Sequence, residues 1–175
     1  MSEGNEKGQW HNALMKWLTG AIYASVKTMG ARQAKVMSRG MALVFVRSLT
    51  NELHAKKGAV MQPTDDPLEA LEQYREAELL AGLSGPDQVS FVPGADGQVE
   101  IAFRACPYGP LCSETLAGLL SRGDFNKASV PCIRMDTYSA AVAVLQNSKR
   151  PYRLVQFAPG ARCQGALAPP RTVAR

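Results

Sequence analysis

Cys106, Cys112, Cys132 and Cys163 are the residues of this chain best suited to chemistry, and no cysteine occurs before them in its 175 residues. Cys106-Pro107-Tyr108, Pro131-Cys132 and Gly160-Ala161-Arg162-Cys163 are turn-like settings, where a fold can bring separated thiols to one place. Five, nineteen and thirty residues separate the four in turn. A zinc finger instead closes a small loop with two tight ligand pairs. The pattern therefore predicts a site gathered from strand ends and helix starts, with all four cysteines as candidate metal ligands. Thiolates suit soft metals, so zinc or an iron-sulfur cluster is expected, with the scarcity of nearby histidines leaning toward a cluster. His11 and His54 sit far from the cysteines in sequence and read as surface or packing residues.

The compartment bears on this chemistry. The opening Met1 to Gly8 lacks the basic-then-apolar layout of a signal peptide, and no stretch reaches the roughly 18 apolar residues of a membrane span. A cytoplasmic location is expected. Reducing cytosol disfavours disulfides, leaving metal binding or thiol chemistry as the commoner use of clustered cysteine, with buried free thiols as the plain alternative.

Basic residues dominate 1–63 and 105–175, whereas acids dominate 64–104, giving a net charge of +5. Such segments can pair within one molecule or between subunits. Lys16, Lys27, Arg32, Lys35, Arg39 and Arg47 are dispersed, with few aromatics among them, so nucleic acid is not an expected partner. Walker and dinucleotide glycine motifs are absent.

The elements that must position the thiols follow from periodicity. Leu14, Trp17, Leu18, Ala21, Ile22 and Val26 recur at helical spacing from Trp10 to about Gly30. A second helix is predicted from about Arg32 to Lys57, with Val36, Gly40, Leu43, Val44 and Leu53 as its stripe. Its segment Met41 to Val46 is apolar nearly all round, as if covered by a second subunit. Trp10 and Trp17 read as core or dimer contacts. Asp66, Pro67 and Glu69 resemble a capping box that opens a third helix, stopped at Gly82. The acids on that helix, Glu69, Glu72, Glu76 and Glu78, read as a solvated face.

Beyond Gly82 the period becomes two. Gln88–Val92 and Gln98–Arg104 form a predicted hairpin around Pro93–Gly97, and Cys106 emerges at its end. Short helices near Ser113–Leu120 and Met135–Gln146 follow. A last strand pair, Tyr152–Ala158 and Cys163–Leu167, turns at Pro159-Gly160. The fold class is α+β, long N-terminal helices packed on an antiparallel sheet with short helices. The expected organisation is a helical, dimerising arm at 1–63, a metal-binding core at 64–167 and a flexible tail at 168–175, within one structural domain.

The charged helix from Asp66 to Leu80, the Gly82 stop, the hairpin, Cys106-Pro107-Tyr108, Pro131-Cys132 and Gly160-Ala161-Arg162-Cys163 resemble, in that order, the vinyl-reductase-type ligand-binding domains. They are similar also to the related domains of iron-sulfur-sensing repressors and methanogen output proteins. The resemblance implies that Cys106, Cys132 and Cys163 hold zinc or an iron-sulfur cluster, that the domain pairs as a homodimer through its long helices, and that it binds a small hydrophobic molecule. Cys112 lies outside the resembling trio. No helix-turn-helix module precedes the domain, contrary to a direct transcription role.

The resulting expectation is a non-enzymatic sensing or cofactor-carrying module with no catalytic residue. The alternatives are a structural subunit held by a protein partner, or a cysteine-dependent reductase or hydrolase with Cys106 as nucleophile, for which neither histidine stands nearby in sequence.

Overall fold

The computed structural model describes residues 17–18, 20–57, 61–104, 106, 108–114, 116–123, 130–148, 150–159 and 161–169. Trp10, His11, Leu14, Pro107, Gly160 and the end of the tail lie outside the described residues. A helix over residues 20–29 (α1) gives way at Gly30 to α2, Ala31–Lys57. Gly30 has φ +83, a conformation that glycine adopts without the steric penalty other residues meet.

Helix α3 spans Pro67–Leu80. Asp66 caps it by accepting from the Leu68 backbone N–H at 2.9 Å, with Pro67 at the first helical position. The expected capping box is not closed. Glu69 takes the Thr64 hydroxyl, and it is Thr64 Oγ1 that accepts from the Asp66 N–H at 3.2 Å. Gly82, at φ +70, ends the helix as predicted.

Strands β1 (Val89–Pro93) and β2 (Val99–Arg104) form the hairpin, with a short 3-10 turn at Ala95–Gly97. The helical segments α4 (Gly109–Glu114) and α5 (Leu116–Ser121) cover the region where a helix was expected over 113–120. Helix α6 (Ile133–Leu145) precedes β3 (Tyr152–Gln156) and β4 (Arg162–Leu167). The sheet is fully antiparallel in the order β1-β2-β4-β3. This is the anticipated α+β class. Among the described residues no helix is long and apolar enough to cross a membrane.

Alternation places Val99, Ile101 and Phe103 of β2 on the inner face, opposite Leu167, Gly165 and Cys163 of β4. Helix α6 lies over that face, and Met135 fills the space left at Gly165, where an added Cβ would stand 2.6 Å from Met135 Cε. Met135, Tyr138, Ala141 and Val142 are fully buried, each large apolar side chain contributing about 1.5–3 kcal/mol.

Helix α2 packs along α6 through small side chains, Ala34, Ser38 and Ala42, followed by Val46, Leu49 and Leu53. This stripe corrects the one predicted from sequence. Val36 and Val44 are about two-thirds exposed, and of the predicted stripe only Leu53 is buried. Small residues let two helix backbones approach closely, so the buried face is marked by alanine and serine rather than by bulk. Trp17 is exposed and not a core residue.

Candidate functional site

Four elements each deliver one cysteine to a single cavity. Cys106 follows β2, Cys112 lies in α4, Cys132 is the residue immediately before α6, and Cys163 pairs with Phe103 across β2 and β4. The Cys112 N–H donates to Tyr108 O at 2.9 Å and the Gly109 N–H to Cys106 O at 2.8 Å, a local turn that brings Cys112 back toward Cys106. The Cys132 N–H donates to the Tyr152 hydroxyl at 3.3 Å, tying the start of α6 to β3. Ser113 Oγ donates to Pro159 O at 3.1 Å, closing α4 onto the β3–β4 turn. Phe103, Tyr108, Arg134 and Phe157 complete the wall.

All four thiols are free. Burial raises the pKa of each: Cys132 well above the usual thiol value, Cys112 to about 12, and Cys106 and Cys163 in the same direction. At Cys106 the Tyr108 backbone and the Arg134 guanidinium work against burial. Without a cation the cavity favours neutral thiols.

The cavity holds about 20 Å³, room for one water-sized body or one ion. Soft sulfur donors fit zinc or a comparable ion, whereas a cluster of several iron and sulfide atoms is larger than this space. Among the described residues no group of three or more His, Cys, Asp or Glu side chains is already placed to hold a metal ion. Ligation would thus call for the sulfurs to draw together.

Sequence reasoning missed the charged residues around the cavity. Glu78, read as solvated, is 2% exposed, and its carboxylate meets Arg134 Nη1 at 2.5 Å and the Tyr138 hydroxyl at 2.7 Å. Its position was available in the pattern, since Leu71, Tyr74 and Glu78 fall at i, i+3 and i+7 on the inward face of α3. Burial alone would lower the Arg134 pKa, but the Glu78 carboxylate, together with Tyr138, Cys106 and Tyr108, outweighs it and the net shift is upward. A second polar cluster joins α2 to α6. The Ser38 hydroxyl donates to Asp136 Oδ2 at 2.5 Å, Arg39 Nε stands 3.6 Å from Oδ1, and burial lifts the Asp136 carboxyl to about 6. Lys35 Nζ lies 4.5 Å from the centre of the Tyr152 ring. His54, by contrast, is exposed on α2.

No family model matches the chain, and no curated protein does. Among solved structures the fold is similar to the crystal structure of the phenol-responsive sensory domain of the transcription activator PoxR with phenol. The TM-score is 0.53 at 16% sequence identity, with 89% of this chain and 74% of that one covered. At that identity the likeness is one of fold.

Proposed function

We propose that this chain is a non-enzymatic sensing module of the vinyl-reductase type, in which Cys106, Cys112, Cys132 and Cys163 hold one soft metal ion. The observation that carries the reading is the convergence of four thiols from four separate elements on one ion-sized cavity. Zinc suits the volume better than an iron-sulfur cluster. The ion would supply a crosslink among β2, α4, α6 and β4. The likeness to a phenol-responsive sensory domain supports a small hydrophobic molecule as the sensed ligand, which would need a space other than the thiol cavity. A nucleophilic role for Cys106 finds less support, because burial pushes its thiol up.

Protein isolated without oxygen or added chelator should carry about one zinc per chain by elemental analysis. Cys132→Ser or Cys163→Ser should lose it. Preparations with neither zinc nor iron, and with unchanged stability on adding zinc, would refute the reading.

A further inference from the structure

Arg134 stands in the first turn of α6, two residues beyond Cys132, and forms part of the wall of the thiol cavity. It is 3% exposed. Its Nη1 is held at 2.5 Å by Glu78 Oε1, and the Tyr138 hydroxyl fixes the other carboxylate oxygen at 2.7 Å. The guanidinium carbon lies 5.3 Å from the Tyr138 ring centre and 5.5 Å from that of Phe103. One edge of the guanidinium is thus held by Glu78, and two aromatic rings lie near it. Its Nε–H is buried and has no hydrogen-bond partner among the described residues.

A buried donor without an acceptor is costly, and an apolar side chain of similar length would fill the place at less expense. The donor therefore points to an acceptor that is present in another state of the site. The cavity that Arg134 lines is also lined by the four thiols. A neutral thiol is a weak acceptor, but a metal-bound thiolate carries negative charge and accepts well. An ion ligated by several thiolates is negative overall, and burial of that charge is unfavourable unless a cation meets it.

We infer that Arg134 is a positioning and specificity residue of the thiol site: its Nε–H donates to a metal-bound sulfur and its charge offsets that of the thiolate centre, while Glu78 limits how much positive charge faces the cavity. This rests on reading the cavity as a soft-metal site. It makes that site selective for ions that leave a net negative thiolate centre. Arg134 and Glu78 then have opposite effects on metal affinity, although both support the fold.

The test is a Cd²⁺ titration of the full chain, reduced and metal-free, followed by the sulfur-to-cadmium charge-transfer band with circular dichroism on the same samples. Arg134→Met should weaken Cd²⁺ binding by about 10- to 100-fold and shift the band. Arg134→Lys, which keeps the charge but not the Nε geometry, should lose less. Glu78→Gln should bind at least as tightly as wild type, even with a less stable fold. Folded Arg134→Met with wild-type affinity and band would overturn the inference alone, as would equal weakening by Arg134→Met and Glu78→Gln. Should Arg134→Met not fold, the order of Arg134→Lys below wild type and Glu78→Gln at or above it decides the matter. Wild-type protein that takes up no Cd²⁺ would overturn the inference together with the reading of the site.

Discussion

Burying a carboxylate costs several kcal/mol unless a cation or hydrogen bonds meet it, and Glu78 and Asp136 face that cost differently. Glu78 is matched by Arg134 in direct contact, so Glu78→Ala leaves a buried cation alone and should destabilise the fold by about 3–5 kcal/mol in urea denaturation. Asp136 has the Ser38 hydroxyl at one oxygen and a longer approach from Arg39 at the other, with Tyr152 and Lys35 also favouring its charged form but not enough to offset burial. Its folded pKa of about 6 lies above the ordinary 3.8, so the folded state binds the extra proton more readily than the unfolded state. Its contribution to stability therefore improves as pH falls from above 6 toward 4 and is lost as pH rises through 6, by up to about 3 kcal/mol. Asp136→Asn should flatten that part of the profile relative to wild type. Identical pH profiles for the two proteins would show that Asp136 titrates normally. Neither pairing was legible in advance, because both join residues far apart in the chain. What could be read was the helical phase of Glu78 with Leu71 and Tyr74, and the abundance of acids on the rest of α3 hid it.

Caps, turns and strand alternation act over a few residues, which is why Asp66-Pro67, Gly82, the 93–97 connection and the two strand pairs emerged from sequence close to their observed places. The face of α2 depends instead on its neighbour. Val36, Val44 and Phe45 supply bulk on the exposed side, whereas Ala34, Ser38 and Ala42 supply closeness on the side that meets α6. Ala34 is fully buried, and Ala34→Leu should force the two helices apart and cost about 1–3 kcal/mol by thermal or urea unfolding. Were α2 turned as the bulky stripe suggests, the same substitution would be neutral. The helix expected over 113–120 starts earlier than its sequence suggested, at Gly109, where the turn from Cys106 sets its direction.

At the scale of the whole molecule, the alternation of basic, acidic and basic segments is partly resolved within one chain. Glu78 of the acidic middle pairs with Arg134 of the basic end, and Arg39 of the N-terminal part reaches Asp136. Val36, Val44 and Phe45 on α2, with Trp17 and with Met29 of α1, are exposed apolar side chains that the homodimer expected from the sequence would cover. Val44→Glu should then give a folded monomer by sedimentation, against a wild-type dimer, and a wild-type monomer would remove the dimer from the account. The gathering of the thiols belongs to this scale too. Turn-like settings showed that the cysteines could meet, but the meeting itself depends on Phe103 pairing with Cys163, on α6 starting at Cys132 and on α4 folding back, none of which spacing reveals. The most direct measurement of that convergence is the alkylation of each cysteine, read by peptide mass spectrometry in native protein with and without one equivalent of Zn²⁺. The account predicts that Cys106, Cys112, Cys132 and Cys163 are protected together as the ion is added. Equal labelling of all four with and without Zn²⁺, or protection of one cysteine alone, would contradict it.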